Sequence, residues 1–136
     1  RKGVQVVLAA NGGEAEVRAD SARIGQVLGN LLSNALRHTP SGGRVDVRVL
    51  LEADVVAIEV ADTGDGIAAE HLPHIFERFY RADTARDRDS GGTGVGLAIS
   101  RAIALAHDGQ LTAASAGPGT GATLSLRLPR APRLPG

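Results

Sequence analysis

The sequence predicts an α/β two-layer sandwich: a mixed, mostly antiparallel sheet with helices on one face and a long flexible segment over a pocket. Three observations point to it. Helical and strand-like stretches mix without the strict alternation of a parallel sheet. Two strand-like runs, Arg44–Leu51 and Val55–Val60, are separated only by Glu52-Ala53-Asp54, which reads as an antiparallel hairpin. From Asp62 to Gly92 the chain carries turn glycines and charge instead of apolar periodicity.

Taken in order, Val4-Gln5-Val6-Val7-Leu8 is a strand, and Glu14-Ala15-Glu16-Val17-Arg18 a second short one after the turn Asn11-Gly12-Gly13. A helix follows, capped by Asp20 or Ser21. Ile24, Val27, Leu28, Leu31, Leu32, Ala35 and Leu36 recur at the spacing of one buried face, and Pro40 with Gly42-Gly43 ends it. In the next strand Val45, Val47 and Val49 alternate onto one side. A short apolar piece lies at Leu72–Tyr80, and the run Arg81–Ser90 is expected to be mobile. Thr93–Ala106 is a second helix, rich in Ala, Leu and Ile, and Gln110–Ala114 and Ala122–Leu128 are the last strands. Residues 1–128 form one domain and 129–136 a proline-rich tail.

Composition narrows the functions. Hydrophobic residues make up 43% of the 136, enough for one core, yet aromatics are only 2%, so Val, Leu, Ile and Ala must fill it. The 15 basic and 15 acidic residues cancel, so no net field draws the domain to nucleic acid or anionic lipid. Without cysteine there is no disulfide and no thiolate metal site. No apolar run approaches the ~18 residues of a membrane span. The chain has no methionine and is read as a fragment of a longer protein.

Four places carry chemistry. On the first helix, at about 100° per residue, Asn34 and Arg37 fall within roughly 40° of Asn30, beside the apolar face. An asparagine oxygen is a hard ligand suited to Mg²⁺, and arginine forks onto phosphate. Asp62-Thr63-Gly64-Asp65-Gly66-Ile67 follows a strand, where a carboxylate can accept an adenine amino proton and glycines admit a flat base. Gly91-Gly92-Thr93-Gly94-Val95-Gly96-Leu97 opens a helix whose free amides suit phosphates. Gly117-Pro118-Gly119-Thr120-Gly121-Ala122-Thr123 precedes the last strand, from which Thr123 could hold the adenine-binding carboxylate or a bridging water. Each also has a plain account as a solvated helix face, a turn or a helix start. The third is not a dinucleotide fingerprint, because Arg86-Asp87-Arg88-Asp89-Ser90 precedes it in place of a strand, and it lacks the Gly-Lys-Ser/Thr of a Walker loop.

The order of these pieces resembles sensor histidine kinases. Asn30-Leu31-Leu32-Ser33-Asn34-Ala35-Leu36-Arg37-His38-Thr39 is similar to their asparagine box, Asp62–Ile67 to the first glycine box and Ile75-Phe76-Glu77-Arg78-Phe79-Tyr80-Arg81 to the phenylalanine box. Gly91–Leu97 and Gly119–Thr123 are similar to the second and terminal glycine boxes. The resemblance implies the Bergerat ATP-binding fold. It implies that Asn34 ligates Mg²⁺ with Asn30 assisting, that Arg37 and His38 approach the phosphates or ribose, and that Asp62 reads the adenine of ATP. Gly64, Gly66 and Ile67 would shape the base pocket, Gly92, Thr93, Gly94, Val95, Gly96 and Leu97 would line the phosphates, and Tyr80 would join the nucleotide contacts. Arg81 would reach the terminal phosphates from a lid that Phe76 and Phe79 anchor. Val95 departs from the leucine common at its position.

Superfamily members that hydrolyse ATP resemble one another in a glutamate one turn before the metal asparagine. Here that position is Asn30, whose amide cannot accept a proton, which favours a kinase over an ATPase. His38, His71, His74 and His107 lack the acidic residue and proline of the family's phosphoacceptor, so the acceptor histidine is expected on a separate dimerisation domain, with a response regulator beyond it. The resemblance implies a cytoplasmic domain, monomeric when isolated, of a membrane-associated homodimeric sensor, with no direct membrane contact of its own. A rival is a serine kinase or switch module like anti-sigma factors, on the same fold; the phenylalanine box and the Asn-His-Thr pattern argue against it.

Overall fold

The computed structural model describes residues 3–10, 20–78 and 96–130. Their elements run β1 (Gln5–Ala10), α1 (Ser21–His38), β2 (Arg44–Leu51), β3 (Val55–Asp62), a single 3-10 turn (Leu72–His74), α2 (Gly96–Ala106), β4 (Gln110–Ala114) and β5 (Ala122–Pro129). The expected strand at Glu14–Arg18 lies outside the described residues, as do Arg81–Ser90 and the first residues expected of the second helix.

The strands form one sheet in the order β1-β2-β3-β5-β4. β1 joins β2 in parallel, a pairing that the intervening α1 makes possible, and the other neighbours are antiparallel. The Glu52 N–H donates to the Val55 carbonyl at 2.9 Å, closing the expected hairpin. Alternation then sorts the side chains. Val45, Val60, Leu124, Leu126, Leu128 and Leu111 turn to the face where Val27, Leu31 and Ala35 of α1 and Ile103 and Ala104 of α2 cover them. Arg44, Asp46 and Arg127 take the other face, where Arg127 meets Glu52 at 3.1 Å. Leu31 and Leu126 are fully buried, each contributing about 1.5–3 kcal/mol of transfer free energy, which dominates over such an exposed pair worth about 0–1 kcal/mol.

Of the two possible caps, Asp20 takes the role. Its Oδ1 accepts the N–H groups of Ala22 and Arg23 at 3.0 and 3.2 Å, and its own N–H donates to His107 Nε2 at 3.1 Å, tying the start of α1 to the end of α2. At the other end the fully buried Thr39 donates through Oγ1 to the Ala35 carbonyl at 2.6 Å, and Pro40 cannot continue the helix. The last strand runs one residue further than expected, to Pro129. Arg130 beyond it is held by the hairpin, its N–H on the Asp54 carbonyl at 2.9 Å and its guanidinium on the Glu52 carbonyl at 2.7 Å.

Candidate functional site

Strand alternation aims Asp62. It lies two residues beyond Val60, hence on the helix-covered face, at the end of β3 where β5 begins with Ala122 opposite it. Its Oδ1 accepts the Gly64 N–H at 2.9 Å, and the backbone N–H of Ala122 also donates to the carboxylate. Burial pushes the Asp62 pKa above its usual 3.8; the two N–H bonds and the nearby His38 oppose that rise and Asp65 adds to it. The result is a half-buried carboxylate with acceptor capacity left over, set among backbone.

The loop after Asp62 is clamped from both sides. The Asp65 N–H donates to the His38 carbonyl at 2.9 Å, and Thr63 exchanges bonds with Arg44: its N–H goes to the Arg44 carbonyl at 3.0 Å and its Oγ1 accepts the Arg44 N–H at 2.9 Å. On the far side the Gly119 and Gly121 N–H groups reach the Asp65 and Gly64 carbonyls at 2.7 and 3.2 Å. These approaches explain two glycines. A Cβ on Gly64 would overlap the His38 carbonyl, and Gly66, at φ +71°, would drive one into the Gly117 carbonyl.

The end of α1 supplies the second wall. Asn34 Oδ1 accepts from the Arg37 guanidinium at 3.3 Å, and both side chains are half-buried, as is His38, whose Nδ1 lies 3.4 Å from Asp65 Oδ2. Asn30 turns toward α2: its Nδ2 donates to the Gly96 carbonyl at 3.2 Å and to the hydroxyl of the fully buried Ser100 at 3.1 Å. The structure therefore brings Asn30, Asn34, Arg37, His38, Asp62, Gly64, Gly66 and Ile67 to one end of the sheet, with Gly96 against Asn30. Leu97 packs against the core cluster, as do Ile75 and Phe76, and the Arg101 guanidinium lies 5.9 Å from the Phe76 ring centre.

Thr123 is a correction. It pairs with Ala61, so alternation sends its side chain to the face opposite Asp62, and the neighbour that holds the carboxylate is the Ala122 N–H. Tyr80, Arg81, Gly92, Thr93, Gly94 and Val95, together with Phe79, lie outside the described residues. Two residues that matter were missed. Ser100 had a signal, a lone hydroxyl in an apolar helix face; Ser115, whose Oγ accepts the Ile67 N–H at 2.9 Å from 48 residues away, had none.

Such an arrangement suits a nucleotide-binding class of protein: residues 19–132 match the family described as histidine kinase-, DNA gyrase B-, and HSP90-like ATPase, and the chain belongs to that family. Its sequence relatives are sensor histidine kinases and its structural neighbours histidine kinase catalytic domains of the Bergerat fold. Sensor protein IrlS of Burkholderia pseudomallei (strain K96243) is 50% identical over 97 residues, which cover 71% of this chain and 21% of the relative. Sensor histidine kinase RppB of Synechocystis sp. (strain ATCC 27184 / PCC 6803 / Kazusa) is 42% identical over 117 residues, covering 86% and 26%. Mycobacterial sensor histidine kinase MprB superposes with a TM-score of 0.84 at 31% identity, covering 96% of this chain and 86% of that one. Full-length ShkA in complex with AMPPNP superposes with a TM-score of 0.81 at 28% identity, covering 98% and 27%. The chain thus spans 21% and 26% of the length of the two curated relatives. Among the described residues no helix is long and apolar enough to cross a membrane.

Proposed function

We propose that this domain binds ATP with Mg²⁺ and donates the γ-phosphoryl group to a histidine on a separate dimerisation domain, for relay to a response-regulator aspartate in two-component signalling. The carrying observation is Asp62, a half-buried carboxylate held by the Gly64 and Ala122 N–H groups with its remaining lone pairs available to an adenine amino group. The similarity to a chain crystallised with AMPPNP supports the same ligand class.

The donor set fits Mg²⁺ that arrives with the nucleotide. That cation takes few protein ligands and keeps phosphate and water oxygens, and it would neutralise charge on the phosphates. Asn34 Oδ1 is the neutral oxygen on offer, since its 3.3 Å contact with Arg37 is long enough to exchange. Asn30 assists through its remaining oxygen, its nitrogen being engaged by Gly96 and Ser100. Arg37 and His38 then face phosphate or ribose, with Arg81 and the second glycine box completing the phosphate contacts.

In the transfer an imidazole nitrogen attacks the γ-phosphorus in line, the bond to the β,γ-bridging oxygen breaks, and ADP leaves. The domain positions the phosphate and balances its charge. Asn30 cannot deprotonate water, and its amide is committed as a strut to α2, so ATP waits for its histidine instead of being hydrolysed. The parent is proposed as a homodimeric membrane sensor with this domain in the cytoplasm, monomeric when isolated.

The test mixes the domain with the dimerisation domain of a sensor histidine kinase relative such as IrlS. Acid-labile, base-stable phosphate should appear on that partner only when this domain and Mg-ATP are both present, with negligible turnover by this domain alone. Steady hydrolysis without acceptor, and no transfer, would overturn the proposal.

A further inference from the structure

Ser115 follows β4 at the point where the chain leaves the sheet for the turn back into β5. Its hydroxyl joins the Ile67 loop to that turn. Oγ accepts the N–H groups of Ile67 at 2.9 Å and Gly117 at 3.2 Å, and it donates to the Gly121 carbonyl at 2.7 Å; the Gly117 carbonyl, at 3.4 Å, is the poorer acceptor for its one proton. The Gly121 carbonyl and the Ala122 N–H belong to one planar peptide group, and Ala122 stands directly opposite Asp62 in the β3–β5 ladder, where its N–H favours the charged carboxylate. The hydrogen bonds therefore run in series, from the Ile67 N–H to the Ser115 hydroxyl, through the Gly121–Ala122 peptide, to Asp62, each polarising the next.

We propose that Ser115 is a positioning residue for adenine recognition: its hydroxyl fixes the peptide plane that presents the Ala122 N–H to Asp62 and, on its other side, holds the Ile67 end of the base loop. The proposal rests on the nucleotide-binding reading above. Removing Oγ leaves the Gly119 and Gly121 N–H bonds to the Asp65 and Gly64 carbonyls in place, so the two loops stay attached while the Gly121–Ala122 peptide loses its orientation. The defect is one of aim, not of folding.

The experiment titrates Mg-ADP into wild type, Ser115→Ala and Ser115→Thr across pH, with thermal midpoints alongside. Ser115→Ala should bind about tenfold more weakly, the order expected when a bond to a charged group is compromised. Ser115→Thr, which keeps the hydroxyl, should restore binding. Binding weakens on acidification as Asp62 takes up a proton, and in Ser115→Ala that acid limb should move to higher pH because the N–H support of the carboxylate is weakened. His38 and Asp65, the other charged groups facing Asp62, are unchanged by the substitution. Equal affinity in Ser115→Ala, or weaker binding with an unmoved acid limb, would overturn the proposal and leave nucleotide binding standing. A wild type that does not bind Mg-ADP overturns both.

Discussion

The two walls of the site are built by different means. The wall proposed to face phosphate is a stripe of side chains on α1, where Asn30, Asn34 and Arg37 share a polar edge of an amphipathic helix. The wall proposed to face the base is nearly all backbone: Gly64 packs against the His38 carbonyl, Gly66 against the Gly117 carbonyl, and N–H groups from three segments converge on Asp62 and its loop. Side chains on a helix can be exchanged with local consequences, whereas meshed backbones tolerate no added atom. Side-chain exchanges at Asn30, Asn34 and Arg37 should therefore lose function without losing the fold, whereas an atom added at the meshed glycines of the other wall should cost both.

The largest expected effect breaks the base wall. Gly64→Ala forces a Cβ into the His38 carbonyl and should cost on the order of 3 kcal/mol of stability by denaturant unfolding, whereas Gly25→Ala, on an open helix face with nothing within 4 Å, should gain about 0.5–1 kcal/mol. Similar stabilities for the two variants would dissolve the contrast. On the phosphate wall, Asn34→Ala should weaken Mg-ADP binding by roughly tenfold to a hundredfold, the range for disturbing a metal site, with an almost unchanged unfolding midpoint and the Mg²⁺ dependence gone. Retained Mg²⁺ dependence would remove Asn34 from the metal.

Ser100→Ala sharpens the comparison, because it touches the phosphate wall from behind. It strips one acceptor from the Asn30 amide and should cost about 1–2 kcal/mol of stability, with a smaller loss of affinity than Asn34→Ala. The smallest effect is the pH dependence of Asp62. Its pKa is higher in the folded chain than the usual 3.8, so the folded state binds its proton more tightly, and this group's contribution to stability falls as pH rises through the interval from 3.8 to the raised value. The difference in unfolding midpoint between wild type and Asp62→Asn should accordingly favour wild type more at the acid end; the opposite slope would mean that the N–H bonds outweigh burial.

The same contrast explains what could be read from sequence. Asn30, Asn34 and Arg37 were legible because helical period and residue type determine their common edge, and Asp62 because it ends an alternating strand. The sheet followed from the Glu52–Asp54 connection and the valine alternation, and the first helix from its seven-residue apolar face. Thr123 failed because face is a matter of parity: once Ala61, not Asp62, is its partner, the side chain points away. Ser115 and the Ala122 N–H were invisible because their work depends on pairings across tens of residues, which no local pattern encodes. Asp20 over Ser21 as the helix cap was settled by which oxygen meets the free amides.

The most direct test of a nucleotide site centred on Asp62 is calorimetric titration of Mg-ADP into wild type and Asp62→Asn. The amide keeps an oxygen for the Gly64 and Ala122 N–H groups but loses the charge that adenine would use, so wild type should bind and the variant should bind at least about tenfold more weakly, with an unfolding midpoint at neutral pH that is equal or higher because a buried charge is gone. Equal affinity in the two proteins, or no heat from either, would contradict the account.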